Sequence, residues 1–246
     1  MDLSERVVLI TGGSRIGMSI ATEVARRGAH VALSYKNSQA NAEKTVAAIQ
    51  SLSRNAVAIR ADLSRGSECE EFVKASVKAF GRIDVLVNMA SLYNKKSFDS
   101  LTERDWDLGF TVDVKAAFLC ALATVSHMRA VRGGRIINFS DWVAYSGRPR
   151  YKGYLPYYVA KAAVVALTEA LALELASDKI LVNAIAPGPI RPPDNLEIGE
   201  VEKIEKATPL GHWGGDSEVV KAVIALIETD FMTGETLCVD GGRHLR

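Results

Sequence analysis

The sequence lacks an excess of charge of either sign, has few cysteines and contains no long apolar run. Its 30 Lys and Arg residues balance 29 Asp and Glu residues, for a formal net charge of +1, so nothing favours nucleic acid or a membrane surface as a partner. Its three cysteines, Cys69, Cys120 and Cys238, have no C-x-x-C spacing, which predicts buried thiols in a reducing compartment and no metal site. No apolar run approaches the ~18 residues of a membrane span, and the first residues have no signal-peptide pattern. We therefore expect a cytoplasmic protein.

Short β-rich apolar runs alternate with longer helical patterns along the chain. Strands are predicted over residues 7–11, 30–35, 56–60, 84–88, 135–139, 180–185 and 236–240, with helices in the intervals between them. This alternation predicts an α/β fold with a doubly wound, mostly parallel sheet of about seven strands and helices on both faces. The length of 246 residues suits one domain, 1–246. The proline-rich interruption at 190–209 predicts a flap over a substrate, with a mobile surface loop as the alternative.

A tyrosine and a lysine four residues apart, Tyr157 and Lys161, lie within the predicted helix 155–176. Residues at i and i+4 share a helix face, which brings the ammonium to about 6 Å from the phenol. At an effective dielectric constant of ~20 this separation is worth roughly 3 kcal/mol, which would lower the pKa of the phenol toward neutrality. The pair predicts a general acid that protonates a C=O or C=N group as hydride arrives. The alternative interpretation is a half-buried tyrosine beside a solvated lysine.

Glycines stand between the first predicted strand and the first predicted helix, in the sequence Thr-Gly-Gly-Ser-Arg-Ile-Gly. A nucleotide-binding fold needs glycines there for a tight turn and for close approach of a pyrophosphate to the helix N-terminus. The candidate cofactor-binding residues in this turn are Gly12, Ser14, Arg15, Ile16 and Gly17.

The end of the second predicted strand is the place where a dinucleotide-binding sheet of this kind distinguishes NAD from NADP. Enzymes of this fold that use NAD place a carboxylate there, but no Asp or Glu occurs between residues 29 and 42. Instead Lys36, with Arg15, could neutralise a 2′-phosphate, and Ser34 or Ser38 could donate hydrogen bonds to it, with Tyr35 alongside. We predict NADPH/NADP+ as cofactor. In the alternative, these polar residues simply begin a surface helix.

Five motifs in chain order resemble those of the short-chain dehydrogenase/reductase family: the glycine turn, Asn-Met-Ala-Ser at 88–91, the Tyr157/Lys161 pair, Pro-Gly at 187–188 and Asp-Gly-Gly at 240–242. The resemblance implies a Rossmann-type sheet, a nicotinamide cofactor and a homodimer or homotetramer. It also implies cofactor contacts from Asp62, Leu63, Asn88, Ala90, Tyr157, Lys161, Pro187, Gly188 and Ile190. The glycine turn departs from the family because it is one residue short and lacks the middle glycine.

Two carboxylates stand where the family usually has other polar residues. Asp141 follows the fifth predicted strand in place of a serine, which is similar to pteridine and dihydromonapterin reductases and implies that the carboxyl group supports Tyr157 in proton delivery. Ser140 is the competing candidate for this position, and the alternative role for Asp141 is that of a strand-end carboxylate that caps a turn. Asp113 stands where the family has an asparagine that helps to hold a water relay to the lysine. Close to Lys161, its charge would partly cancel the pull of the ammonium on Tyr157.

These residues predict an NADPH-dependent oxidoreductase that reduces a C=O or C=N group, with a pterin-like substrate as the leading hypothesis. An alternative is a 3-oxoacyl-acyl-carrier-protein reductase or a general ketone/alcohol oxidoreductase, with Arg129 and Arg132 as candidates for contact with an acidic carrier protein. A second alternative is a catalytically weak, cofactor-binding regulatory protein, since two motif positions carry Asp.

Overall fold

The computed structural model describes residues 1–12, 14–193, 196 and 198–245. The strands are β1 (Val7–Thr11), β2 (His30–Tyr35), β3 (Ala56–Arg60), β4 (Val85–Asn88), β5 (Gly134–Phe139), β6 (Ile180–Pro187) and β7 (Thr236–Val239). All neighbouring strands are parallel, and their order in the sheet is β3-β2-β1-β4-β5-β6-β7. The chain reverses direction across the sheet after β3, so a crevice opens beyond the carboxyl ends of β1 and β4, where such sheets bind ligands.

Helices connect the strands. They are α1 (Ile16–Arg26), α2 (Gln39–Gln50), α3 (Gly66–Phe80), α4 (Glu103–Phe110), α5 (Ala116–Ala130), α6 (Trp142–Tyr145), α7 (Leu155–Leu175), α8 (Ile198–Ala207) and α9 (Asp216–Glu228). The prediction of a doubly wound α/β sheet is confirmed, and most predicted bounds agree to within two residues. The short helix α6 was not predicted, because four residues are too few to show helical periodicity.

Two apolar clusters cover the two faces of the sheet. Successive strand residues point to opposite faces, so Val8 and Ile10 pack with Ile20 of α1 in one cluster, while Leu9 packs with Phe72 of α3 in the other. Cys69 and Cys120 are fully buried in the second cluster. These two thiols therefore have the small apolar role expected from the sequence.

A π-helical turn, Thr111–Lys115, joins α4 to α5 into a continuous helix, Glu103–Ala130. This helix is long and apolar enough to cross a membrane by length and composition alone, with a mean hydropathy of 1.7 in its most apolar window. Within the fold it packs against α3, β4, β5 and α7, which is the position of a core helix. Its apolar composition is explained by that packing.

Candidate active site

The residues predicted to do chemistry converge at the carboxyl ends of β1, β4 and β5. Gly12 leaves β1 with a φ of +69°, and a Cβ at this position would lie 3.0 Å from the Cα of Ala90. Only glycine fits this close approach of two backbone segments without strain. The turn thereby opens a cleft between α1 and the segment that follows β4. Gly13 lies outside the described residues.

Tyr157 and Lys161 lie one turn apart on α7, as predicted. The Tyr157 hydroxyl donates a hydrogen bond to Asp141 Oδ2 over 2.8 Å, and the Lys161 ammonium is 5.7 Å from the centre of the Tyr157 ring. Lys161 Nζ donates to the backbone carbonyl of Phe139 at 2.7 Å. The lysine is therefore held at the end of β5, beside the phenol.

Asp141, and not Ser140, faces the tyrosine. Asp141 caps the N-terminus of α6, where its Oδ1 accepts a hydrogen bond from the backbone N–H of Val143 at 2.8 Å, and this turns its second oxygen toward Tyr157. Ser140 is buried, and its hydroxyl donates to the backbone carbonyl of Lys161 at 2.9 Å. Ser140 thus tethers β5 to α7, and the carboxyl group takes the place beside the phenol.

Asp113 pairs directly with the lysine. It lies in the π-helical turn, and Lys161 Nζ is 3.0 Å from its Oδ1. Both residues are only 3% exposed. The carboxylate also accepts hydrogen bonds from the Ser91 hydroxyl and the Leu92 backbone N–H. Because π-helical turns change the direction of the side chains they carry and occur frequently at functional sites, this turn is the local device that aims Asp113 at the lysine.

The pKa of Tyr157 does not follow the sequence-based expectation. Burial, followed by the negative charges of Asp141 and Asp113, raises its pKa well above the usual value of a tyrosine. Burial also raises the pKa of Asp141, against the opposing effect of the hydrogen bond from Tyr157. The expected lowering of the Tyr157 pKa by Lys161 is wrong for this arrangement, chiefly because burial disfavours the ionised phenol. The nearby carboxylates Asp141 and Asp113 act in the same direction. Burial therefore disfavours the charged form of both groups.

Two connected clefts lead to this group of side chains. The first is lined by residues from the ends of β1, β2 and β3, among them Gly12, Ser14, Ser34, Tyr35, Lys36, Ser38, Asp62, Leu63 and Ala90. The second shares Gly12 and Ser14 and continues past Arg15, Ile16, Asp141, Tyr157, Lys161, Pro187, Gly188 and Ile190. A long, continuous crevice of this kind matches an extended dinucleotide, with the reactive end beside Tyr157.

The electrostatics of the first cleft support a phosphate-bearing ligand only in part. Lys36 is exposed at the end of β2 and pairs with Asp62 at 2.8 Å, and this pairing lowers the pKa of Asp62 to about 2. Arg15 lines the second cleft and not the first. The positive charge predicted to meet a 2′-phosphate is therefore concentrated on Lys36.

Several of the residues predicted to contact the cofactor hold neighbouring segments of the protein together. Asn88 is buried, and its amide donates to the Asn138 side chain at 2.9 Å and to the Ala117 carbonyl, so it joins β4 to β5 and α5 and does not line either cleft. Gly17 packs on the glycine turn inside α1. Ser34 accepts a hydrogen bond from the Gly12 N–H at 3.1 Å. Buried amide and hydroxyl groups need hydrogen-bond partners, which explains why the side chains of Asn88 and Ser34 bind neighbouring segments of the protein.

The segment predicted as a flap, residues 190–209, begins at the end of the second cleft, which Ile190 and Arg191 line. Ile190 is 5% exposed, Arg191 pairs with Asp216 of α9 at 2.9 Å, and α8 begins at Ile198. Residues 194, 195 and 197 lie outside the described residues, so the flap stays a prediction. Close packing fixes the backbone just before the segment 190–209, because a Cβ on Gly188 would lie 2.4 Å from the Cβ of Asp240.

A third pocket opens on the far side of Asp141 and Tyr157, and sequence reasoning identified only part of it. Tyr151 and Tyr154 line it, together with Tyr93, Trp142 and Arg150. Trp142 and Arg150 were missed, since single residues of the β5–α7 connection carry no periodic pattern.

Comparison with known proteins agrees with this geometry. A family model described as enoyl-(acyl carrier protein) reductase matches residues 12–244. The 3-oxoacyl-acyl-carrier-protein reductase FabG of Staphylococcus epidermidis is 35% identical over 246 aligned residues, covering 96% of this chain and 98% of that protein. The short-chain dehydrogenase/reductase structure from Serratia marcescens has a TM-score of 0.92 and 31% identity, covering 99% of this chain and 100% of that chain. A blue fluorescent protein from a metagenomic library, solved with NADPH, has a TM-score of 0.91 and 30% identity, covering 99% of each chain.

The family model and the relatives match nearly the whole chain, and the solved structures share its fold. The chain belongs to the short-chain dehydrogenase/reductase family and is an oxidoreductase of the NAD(P)-dependent type.

Proposed function

We propose that the protein reduces a ketone, with a 3-oxoacyl thioester as the substrate class and NADPH as the preferred cofactor. One observation carries this proposal: the Tyr157 hydroxyl, hydrogen-bonded to Asp141, lies where the cofactor-shaped clefts meet a separate pocket. A carbonyl placed in that pocket has its oxygen within reach of a proton donor. The named 3-oxoacyl reductase relative supports the thioester class.

In this mechanism NADPH would supply the hydride to the carbonyl carbon. Lys36, Ser38 and Leu63 would hold its adenosine half, while Ser14 and Lys161 would hold the half nearer the substrate. Tyr157 donates its proton to the carbonyl oxygen as negative charge develops there. The Asp141 carboxyl group, 2.8 Å from the phenol oxygen, is placed to relay a proton back to Tyr157, so that a buried tyrosinate does not accumulate. Lys161, paired with Asp113, would fix the position of the cofactor's nearer half beside Tyr157.

A pterin-like substrate is the second candidate. The contact between Asp141 and Tyr157 favours it, because the carboxyl group occupies the position that resembles pteridine reductases. The relative and the family model both carry acyl-carrier-protein reductase names, so this hypothesis now ranks below the thioester. We retain a cytoplasmic location and a homodimer or homotetramer as predictions that accompany the proposed function.

The test is NADPH oxidation with acetoacetyl-CoA and with a dihydropterin, using wild type and Tyr157→Phe. We expect the thioester to be reduced faster, and Tyr157→Phe to lose about 10²- to 10⁴-fold in kcat while still binding NADPH. Unchanged turnover in Tyr157→Phe would refute the assignment of the proton donor. Tight NADPH binding without turnover of any carbonyl or pterin would instead favour a regulatory protein.

A further inference from the structure

The pocket beyond Tyr157 has a specific chemical character. Aromatic rings from three parts of the chain form its wall: Tyr93 follows β4, Trp142 opens α6, and Tyr151 and Tyr154 precede α7. Asp141 and Tyr157 belong to both this pocket and the second cofactor cleft. A substrate that reaches the reactive hydroxyl from this side therefore lies against aromatic faces.

The rings form a stack that ends at the proton donor. Tyr93 and Tyr154 are stacked, with ring centres 4.5 Å apart and planes inclined by 21°. The Tyr93 ring also meets Tyr157 in an edge-to-face contact, with centres 4.8 Å apart at 83°. Tyr93 is 57% exposed, so the stack leaves aromatic surface open toward the pocket. A planar ring placed there extends an existing stack in the offset geometry that aromatic pairs prefer.

The opposite wall is held in place by neighbouring side chains. Trp142 is 5% exposed and makes an edge contact with Tyr151, with ring centres 6.4 Å apart. The guanidinium groups of Arg150 and Arg243 lie 5.8 Å and 5.5 Å from the centre of the Trp142 ring, within the range of cation–π attraction. These contacts fix the indole before any ligand enters, which lowers the ordering cost of binding a flat molecule.

We propose that this pocket selects substrates in which the reducible carbonyl is attached to a planar aromatic ring. The inference rests on the proposed function and specifies its substrate class. The carbonyl carbon accepts the hydride from NADPH, which is oxidised to NADP+, and the carbonyl oxygen accepts the proton of Tyr157. The C=O double bond thereby becomes a secondary alcohol beside the ring. Tyr93 and Tyr154 are the residues that determine the specificity.

The test compares two substrates of similar size that differ in whether the ring is aromatic: the N-acetylcysteamine thioesters of benzoylacetate and of 3-cyclohexyl-3-oxopropanoate. We expect the aryl substrate to have a kcat/KM about tenfold higher, the scale of one favourable aromatic pair. Tyr93→Leu and Tyr154→Leu should each lower this ratio toward one, whereas Tyr93→Phe should preserve it, since the face and not the hydroxyl is used. A dihydropterin serves as a third substrate, to show whether a heteroaromatic ring uses the same stack.

Tyr145→Leu is the matched control, because Tyr145 is 45% exposed and is not among the pocket-lining residues. It should leave the ratio unchanged. Equal kcat/KM for the two thioesters in wild type, or a ratio insensitive to Tyr93→Leu, would overturn the inference and leave the proposed function intact. Failure of both thioesters and of the dihydropterin would overturn the proposed function itself.

Discussion

Replacing Asp113 by Asn should uncover the electrostatic effect of Lys161 on Tyr157. The lysine ammonium is 5.7 Å from the centre of the Tyr157 ring, and a unit charge at that distance is worth about 3 kcal/mol at an effective dielectric constant of ~20. In the wild type, Asp113 lies 3.0 Å from the ammonium and its negative charge opposes this effect. Asp113→Asn removes that charge while keeping the shape of the side chain. About 3 kcal/mol is thus the upper bound on the stabilisation of the ionised phenol, and the pKa of Tyr157 should fall.

The same change should cost stability. Lys161 is only 3% exposed, and breaking a buried ion pair by removing one partner destabilises a protein by about 3–5 kcal/mol. For a chain of this size we expect the melting temperature to fall by roughly 6–12 °C for the first 3 kcal/mol. Asp178→Asn is the matched control, because Asp178 pairs with Arg129 at the surface, where such a pair contributes less than about 1 kcal/mol.

Tyr157 ionisation can be measured by ultraviolet difference titration, with each background compared against its own Tyr157→Phe partner to isolate the one phenol. We expect the Tyr157 transition to occur at lower pH in Asp113→Asn than in the wild type, and to be unmoved by Asp178→Asn. If Tyr157 titrated at the same pH in the wild type and in Asp113→Asn, the compensation argument would be refuted.

Three further predictions follow from the same structure. Burial raises the pKa of Asp141 in the folded state, so its carboxyl group lowers the free energy of unfolding as the pH rises above the ordinary carboxyl pKa of about 4. At neutral pH, Asp141→Asn should therefore unfold at a higher denaturant concentration than the wild type, and this difference should vanish below pH ~4. The same variant should lose about a hundredfold in kcat. Lys36→Ala should lower the ratio of kcat/KM for NADPH over NADH by about tenfold, whereas Lys44→Ala on α2 should leave it unchanged; equal ratios would contradict the role of Lys36. Gly188→Ala places a Cβ 2.4 Å from Asp240 Cβ and should cost about 1–3 kcal/mol by chemical denaturation, an effect not expected for Gly199→Ala, where no atom lies within 4 Å of the added Cβ.

Much of the fold could be predicted from local patterns. The apolar runs of β1, β2 and β3 are bounded by charged or turn-forming residues, so their limits were predicted as the structure has them. The spacing of Tyr157 and Lys161 placed both on one helix face before any tertiary contact was known. Family motifs then indicated the sheet type and the cofactor class, which the full-length relatives support.

Other features depended on contacts between distant segments. Lys161 was expected to lower the pKa of Tyr157, but burial of the phenol, followed by the charges of Asp141 and Asp113, raises it. Asp113 is 48 positions earlier in the chain than Lys161 and yet lies 3.0 Å from its ammonium. Asn88 was predicted to lie by the cofactor, and only the tertiary structure shows that its amide N–H groups bind Asn138 and Ala117. The choice between Ser140 and Asp141 was settled by the cap of α6, which turns the carboxyl group toward Tyr157.

The sequence alone therefore determined the order of the elements, the α/β class and the helix that carries both Tyr157 and Lys161, because those follow from periodicity and from spacing within one helix. Only the tertiary structure decided which charges compensate one another and which rings share a pocket. Electrostatic and stacking energies depend on distances of a few ångströms between residues far apart in the chain, and no local pattern encodes those distances.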